Sequence, residues 1–412
     1  ELRLTYPEYN FIPVYLMATE DHDFDEINFF NFNSKKISWN RNSSGAVGRL
    51  SNDALENVYK HFVKVLDKSD NADFLLKLFK EAYIEHKSLS EATRYIANEL
   101  FKDFGLVIID ADEKKLKQLF LPYINNELTS HISYKNVSAT NTVISELGYK
   151  VQVNPREINL FYLKDDIRER IVEKDGSFHV NNTELVFSSK EILEESKNHP
   201  ERFSPNVIMR PLYQEAILPN LCYIGGGGEL AYWLQLKSYF DYENVTFPIL
   251  LLRNSVLIRS EKQKIKMEKL DVSLHEIFLN QDELINEKVK SLSSINIDFS
   301  NQKEHLKAQF QDLYKIAENT DKSFLGAVSA QERKQIKGLE HLEKRLLKAQ
   351  KRKYSEYASR VKSLHNDLFP GNSLQERKLN FSELYIEYGD QLIQQLILNL
   401  QPLRGEFLIL NL

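Results

Sequence analysis

The chain has a single cysteine in 412 residues, Cys222, so it cannot close an intramolecular disulfide. That excludes a disulfide-stapled secreted scaffold and fits a reducing compartment. Cys222 lies inside an apolar run and reads as a small buried hydrophobe rather than a nucleophile. No apolar run approaches the ~20 residues needed to span a bilayer, and no charged-then-apolar leader opens the sequence, so no membrane span and a cytoplasmic location are expected. A net charge of −5 is small for this length, which excludes a protein built chiefly to coat nucleic acid or an anionic membrane. Chemical signatures are scarce as well: there is no Cys/His zinc spacing, no G-x-S-x-G elbow, no G-x-G-x-x-G and no G-x-x-x-x-G-K-[ST].

What is present is an ordinary globular composition, 42% hydrophobic and 27% charged, over a length that calls for two or three parts. The segment "NFIPVYLMATEDHDFDEINFFNFN" opens on an apolar run, Phe11 to Met17, of buried-strand length. It then meets five acids and a histidine between Glu20 and Glu26. "SNDALENVYKHFVKVLDK" carries a capping residue and Leu55, Val58, Phe62 and Val65 at helical spacing; the last of three such helices stops at Gly105. "LVIIDAD" and "EKKLKQLFLPYINNEL" repeat the strand-loop-helix arrangement, which predicts a parallel α/β sheet. From Tyr149 to Val186 the period falls to two in "YKVQVN", "INLFYL" and "SFHVN", with "EKDGS" and "VNNTE" as turns, predicting a small antiparallel insertion. "LPNLCYIGGGGELAYWLQLKSYF" is another strand-loop-helix unit, and "VTFPILLLRNSVLIRS" supplies a further strand.

After Ser260 the sequence is helical and charged. Leu306, Phe310, Leu313, Ala317 and Phe324 form one heptad seam, and Leu347, Tyr354, Val361 and Leu368 another, which predicts an antiparallel coiled-coil hairpin turning near "GAVSA". Such a hairpin can serve as a dimer surface; the basic "EKRLLKAQKRK" on its second helix reads as a solvated face or an anion-binding one. The expected division is core over 1–50, a helical insertion over 51–105, core strand and helix over 106–148, and a β insertion over 149–200. Core with the glycine loop follows over 201–260, then a helical connector over 261–298, the hairpin over 299–368 and a C-terminal helical segment over 369–412.

Ligands of open parallel sheets sit beyond the carboxyl ends of the strands. Two stretches fall there. In "TEDHDFDE", Glu20, Asp21, His22, Asp23, Asp25 and Glu26 can raise one another's pKa, hold His22 in one tautomer, accept hydrogen bonds from hydroxyls or amines, or ligate Mg²⁺; a solvated acidic loop is the other reading. In "GGGGE", Gly225, Gly226, Gly227 and Gly228 permit positive φ and close approach to a ligand, and a helix from Glu229 would aim its N–H groups at an anion. Glu229 itself would repel a phosphate, and a plain tight turn reads equally well. Upstream, Arg210 lies near a short helix expected to be capped by Ser204 with Pro205 in its first turn; it can hold a carboxylate or phosphate, or form a structural ion pair. Gln235 and Lys237 lie about two turns into the helix after the glycines, where surface side chains are the plain alternative. The lysine-rich "RSEKQKIKMEK" has the place and charge of a triphosphate-binding loop without its pattern.

Together, "ATEDHDFDEIN", "GLVIIDAD", "FSPNVIMRPLYQEAILPNLCYIGGGGELAYWLQLK" and "LQERKLNFSELYIEYGDQLIQQLI" resemble the bacillithiol biosynthesis cysteine-adding enzymes, a family of cysteine ligases, in order over nearly the whole chain. The resemblance implies a Rossmann-type, nucleotidyltransferase-like parallel core with helical and small antiparallel β insertions, plus an antiparallel coiled coil used in homodimerisation. It implies amide formation between the cysteine carboxyl group and the glucosamine amine of glucosaminyl-malate, with the carboxyl activated as an acyl phosphate or adenylate from ATP with Mg. Catalytic roles then fall to Asp21, His22 and Asp23, with His22 as base or substrate orienter, and to Arg210 as carboxylate holder. Substrate contacts fall to Glu20, Ser204, Asn206, Gly225 to Gly228, Glu229, Tyr232, Gln235 and Lys237, with no resident metal, nucleic-acid or membrane partner. Family members open with a further αβ region carrying "TGQQ"-type and "GPLY"-type segments, which this sequence, starting at Glu1, does not contain; a fragment and a naturally short chain are both compatible with that. Two other readings stand beside the ligase: a nucleotidyltransferase acting on another small substrate, and a non-catalytic coiled-coil scaffold.

Overall fold

A computed structural model describes residues 2–33, 35–320 and 322–412; Glu1, Ser34 and Asp321 lie outside the described residues. The chain forms two units, the first of residues 1–254 with 380–406, the second of residues 255–379 with 407–412.

In the first unit the Phe11 run becomes strand β1 (Val14–Met17), followed by the antiparallel pair β2 (Phe29–Phe32) and β3 (Lys35–Ser38). Helices α1 (Leu55–Val65), α2 (Asp70–Lys80) and α3 (Leu89–Phe101) follow. Ser69 and Ser88 cap α2 and α3 by accepting N–H bonds from Ala72 and Glu91. The capping residue expected for α1 does not serve; the helix starts after Ala54 in the left-handed conformation (φ 66°), and Ser51 instead accepts the N–H of Asp53. Gly105 (φ 73°) ends the third helix and its 3₁₀ extension as expected.

Strand β4 (Val107–Asp110) lies parallel to β1, Val14 opposite Val107 and Met17 opposite Asp110, so both acidic strand ends emerge at one edge. Helices α4 (Lys114–Ser130) and α5 (Ile132–Glu146) follow. The antiparallel insertion comprises β5 (Leu160–Lys164), β6 (Ile167–Lys174), β7 (Ser177–Val180), β8 (Val186–Ser188) and β9 (Phe203–Pro205), in the order β8-β7-β6-β5-β9. Asp175 and Gly176, both with positive φ, make its tight β6–β7 turn. "YKVQVN" has no regular secondary structure and joins no sheet. Ser204 sits in β9 opposite Phe161 and caps no helix; Asn206 does that work, its Oδ1 accepting the N–H groups of Ile208 (2.9 Å) and Met209 (3.4 Å) ahead of α6 (Arg210–Ile217).

Strand β10 (Cys222–Gly225) runs parallel to β11 (Ile249–Leu252), with helix α7 (Gly227–Trp233) between them. A continuous core joins α4, α5, the insertion, α6 and α7. Phe120, Tyr162, Phe203, Tyr213, Trp233, Tyr239 and Phe240 are all buried in it, each worth about 2–3 kcal/mol of apolar burial before entropy is counted.

In the second unit the last apolar strand, β12 (Ser255–Arg259), pairs in parallel with the C-terminal β13 (Phe407–Asn411), so it lies outside the β10–β11 sheet and the chain ends on a strand, not a helix. "RSEKQKIKMEK" is helix α8 (Glu261–Lys269), capped reciprocally by Ser260 and Gln263. Helices α9 (Gln281–Leu292), α10 (Ser300–Glu318), α11 (Lys322–Lys353) and α12 (Ser355–Leu368) follow. The hairpin is α10 against α11. Its turn follows Glu318, and "GAVSA" lies inside α11, where Ala and Ser continue the helix at little cost and Gly326 meets nothing. Its core is Phe310, Ala317 and Val328 with Leu306 and Tyr314; Leu313 (41% exposed) and Phe324 (44%) face outward. The second expected seam does not belong to the hairpin. The helix breaks at Tyr354, and Val361, Leu364 and Leu368 pack with Leu284, Ile285 and Val289 in a separate core.

Candidate active site

The carboxyl ends of β1 and β4 carry a network of charged side chains. Thr19 donates its hydroxyl to Asp110, and the Asp112 N–H donates to the same carboxylate at 3.0 Å. Arg49 grips Asp112 with two bonds of 2.6 and 2.7 Å, the fork geometry that favours arginine over lysine. The backbone N–H groups of Val47 and Gly48 donate to the carbonyls of Asp21 (2.7 Å) and Thr19 (2.8 Å). Gly48 is required at this approach: a Cβ there would lie 2.4 Å from the Thr19 Cβ.

Beneath this loop, Lys117 of α4 is fully buried. Its ammonium lies 2.5 Å from Glu20 Oε1, donates to the Phe203 carbonyl at 3.2 Å and sits 4.6 Å from the centre of the Tyr213 ring. Burial pushes the Glu20 carboxyl up and the Lys117 ammonium down, each against the opposing charge of its partner. Glu20 is therefore spent on an internal pair. Tyr213 donates to the Ala111 carbonyl at 2.6 Å. It lies one turn beyond Arg210 on α6, so that helix links the β1–β4 strand ends to the glycine turn.

Asp21, His22 and Asp23 stand exposed at the tip, their ligand atoms within 4.8 Å of one another. They do not form a base supported by two carboxylates. The Asp21 carboxylate accepts the His22 backbone N–H at 2.7 Å and lies 3.4 Å from Nδ1, while Asp23 Oδ1 is 3.8 Å from Nε2. The near partner of the ring is Arg168 of β6, with Nη1 2.6 Å from His22 Nδ1 and the guanidinium 4.1 Å from the Phe161 ring centre. A cation already seated on the imidazole makes this triad a poor fit for a metal ion.

At the second stretch, Arg210 donates to the Tyr232 hydroxyl at 2.6 Å, with Tyr223 beside it and stacked on Trp233 at 4.1 Å. Burial raises both phenols, so at neutral pH they stay uncharged and do not neutralise the guanidinium. Among the described residues no carboxylate forms an ion pair with it. The four glycines depart from expectation: none adopts positive φ, and Glu229 turns back to accept the Gly226 N–H at 2.9 Å. The helix starts at Gly227, two residues early, and its own glutamate occupies the N–H group a phosphate would need. A nucleotide phosphate does not fit there.

Gln235, Asn206 and Lys237 have structural partners. Gln235 is buried, its Oε1 accepting the N–H groups of Gln152 (2.8 Å) and Val153 (3.1 Å) and its amide donating to Asn141 and the Val153 carbonyl, which pins the "YKVQVN" segment. Asn206 donates to Asn159, and Lys237 pairs with Asp241 on its own exposed face. Ser204 is buried and its hydroxyl has no hydrogen-bond partner. Burial, then the nearby Glu215, raises the Cys222 thiol, which keeps it protonated.

Sequence reasoning passed over Arg49, Lys117 and Arg168. Lys117 could have been found: it shares the i, i+3, i+7 stripe of Phe120 and Ile124, the buried face of α4. Arg168 gave no such signal, since alternation in β6 fixes its face but not its neighbour on a loop 146 residues away.

A Rossmann-like α/β unit with its polar cluster at parallel strand ends, continued in sequence by a coiled-coil unit, defines a two-part class of α/β protein. Comparison with known families supplies the particular one. The sequence model of the bacillithiol biosynthesis BshC N-terminal Rossmann-like domain matches residues 1–254, and that of the BshC C-terminal coiled-coil domain matches residues 256–412. The chain belongs to the BshC family of bacillithiol biosynthesis. A protein of Christiangramia forsetii named "Putative cysteine ligase BshC" is 59% identical over 415 residues, covering 100% of this chain and 77% of its own length. Proteins with the same name from Flavobacterium johnsoniae (56% identical; 100% of this chain, 78% of its own) and Staphylococcus haemolyticus (28%; 92% and 73%) also match. Among the described residues no helix is long and apolar enough to cross a membrane.

Proposed function

We propose that the chain is a cysteine ligase of bacillithiol biosynthesis, joining the carboxyl group of cysteine to the amine of glucosaminyl-malate as an amide. The observation that carries this reading beyond family membership is Arg210: a half-buried guanidinium held by neutral tyrosine hydroxyls, with no carboxylate partner among the described residues, is prepared for a substrate carboxylate. Asp21 and Asp23, exposed at the end of β1, can accept hydrogen bonds from the attacking amine and take up its proton. The amine nitrogen forms the new bond to the cysteinyl carbon as the group activating that carbon departs. ATP with Mg²⁺ belongs to the proposal on chemical grounds, because a free carboxylate does not acylate an amine unaided; neither the glycine turn nor the acidic triad fits its phosphates or metal.

The test is coupled turnover. ATP consumption should require cysteine and glucosaminyl-malate together, and Arg210→Lys, which loses the fork, should raise KM for one carboxylate substrate by about tenfold or more, the free-energy scale of one charge-assisted bond. Pyrophosphate release without cysteine would instead favour the nucleotidyltransferase reading.

The proposal includes a homodimer formed through the coiled coil and action in the cytoplasm, where cysteine stays reduced. Exposed Leu313, Ile316, Phe324, Leu325 and Leu342 on the hairpin support the dimer. Sedimentation of Ile316→Glu/Leu342→Glu as a monomer, against a dimeric wild type, is the expected result; a monomeric wild type removes the dimer.

A further inference from the structure

The contact between the β insertion and the acidic loop assigns a chemical form to His22. Arg168 Nη1 lies 2.6 Å from His22 Nδ1. Arginine is a donor at every accessible pH and has no lone pair to offer, so Nδ1 must be the acceptor, and the neutral imidazole then carries its proton on Nε2. The guanidinium is not free to swing away. It stacks at 4.1 Å on Phe161, the same ring that lies 5.9 Å from the His22 ring, so one aromatic side chain braces both partners. Arg168 follows the two-residue Asp165–Asp166 turn and stands opposite Leu163 in the β5–β6 ladder, which fixes its backbone. Asp21 Oδ1 lies 3.4 Å from Nδ1, farther than Arg168, and accepts the His22 backbone N–H at 2.7 Å; on the other side of the ring, Asp23 Oδ1 is 3.8 Å from Nε2, beyond hydrogen-bond reach. Among the described residues Nε2 has no hydrogen-bond partner, and the side chain that carries it is half exposed.

We propose that Arg168 is a positioning residue for the ligase reaction: it locks His22 in its Nε2–H form, so that His22 presents a hydrogen-bond donor, and not a base, to an oxygen of the substrate. The inference rests on the ligase reading above. The substrate atom such a donor suits is the carbonyl oxygen of the cysteinyl group under attack, which gains negative charge as the amine adds; a single donor at such an oxygen is worth about 10²–10³-fold in kcat. The proton leaving the amine then goes to Asp21 or Asp23 and not to His22.

The test combines nitrogen NMR of the imidazole with kinetics on the intact protein. In protein labelled with ¹⁵N-histidine, the His22 signals, assigned by their loss in His22→Gln, should show the Nε2–H tautomer at neutral pH, and Arg168→Met should abolish that preference. Kinetically, Arg168→Met should lower kcat by about tenfold or more while KM moves less than about threefold, and Arg168→Lys, which keeps one donor, should recover part of the loss. His22→Gln retains an N–H near the Nε2 position and should outperform His22→Ala by about tenfold. A wild-type Nδ1–H tautomer, an unchanged kcat in Arg168→Met, or a His22→Gln as inactive as His22→Ala would each overturn the inference. A wild type that shows the Nε2–H form but makes no amide would refute the ligase reading and leave the lock on the ring standing.

Discussion

Lys117→Met removes the cation beneath the acidic loop and leaves Glu20, 7% exposed, without its partner. Breaking a buried ion pair on one side costs about 3–5 kcal/mol, because the surviving charge keeps its desolvation penalty. The double variant Glu20→Leu/Lys117→Met removes both charges, and replacement of such a pair by apolar groups ranges from neutral to about 1–4 kcal/mol stabilising. The pKa directions agree. Glu20 is raised by burial, so its contribution is present at low pH and lost as pH rises through its folded value; Lys117 is lowered, so its contribution is present at high pH and lost as pH falls through its folded value. The ionised pair is therefore a cost between those limits, and the double variant gains most near neutrality. Both tryptophans, Trp39 and Trp233, lie in the first unit, so urea unfolding followed by tryptophan fluorescence reports on that unit. With a slope of about 3 kcal/mol per molar urea, Lys117→Met should lower the midpoint by roughly 1–1.7 M, and the double variant should return it to or above wild type. A single variant within about 0.2 M of wild type, or a double variant worse than the single, would refute the reasoning.

The other consequences are narrower. Gly48→Ala drives a Cβ to 2.4 Å from Thr19 Cβ and 2.8 Å from its carbonyl, so it should cost about 1–3 kcal/mol and at least tenfold in turnover. Gly228→Ala meets nothing within 4 Å inside a helix and should be neutral to about 1 kcal/mol stabilising; the reverse order in urea midpoints would contradict the geometry. Gln235→Leu strands the Gln152 and Val153 N–H groups and should destabilise the first unit by about 2–4 kcal/mol, with faster amide exchange at those two residues as the check. In the second unit, burial raises the Glu276 carboxyl, but Lys288 at 2.8 Å and the Ser273 N–H outweigh it and hold the carboxyl at about 2. That depressed value stabilises the unit above the ordinary 4.5, a contribution lost as pH falls towards 2. Lys288→Met should bring on acid unfolding of the second unit at higher pH, followed by helical circular dichroism; an unmoved onset would argue against the pair.

The parts of the fold that local sequence encodes were readable. Apolar runs ending in acids marked β1 and β4, and "EKDGS" marked the β6–β7 turn, because strand length, acid placement and positive-φ residues act over a few positions. Failures arose where a distant partner decides the outcome. "YKVQVN" alternates like a strand, but Gln235, more than 80 residues on, takes its N–H groups. Ser204 and Pro205 look like a helix start, yet pairing with β5 claims them and leaves the cap to Asn206. The seven-residue spacing from Leu347 to Leu368 is real periodicity, but all four residues face the core around Leu284 and Val289 and not the core of the hairpin. At the site, the acidic loop and Arg210 were visible as residue types, whereas Arg168 and Lys117 acquire their roles only through packing.

The most direct test of the central claim is the mass of the product formed from ¹⁵N-labelled cysteine, glucosaminyl-malate and ATP with Mg²⁺. A ligase yields one species weighing the sum of cysteine and glucosaminyl-malate less one water, carrying the label and yielding labelled cysteine on amide hydrolysis. Absence of that species while ATP is consumed without cysteine would contradict the ligase assignment and with it the carboxylate role given to Arg210.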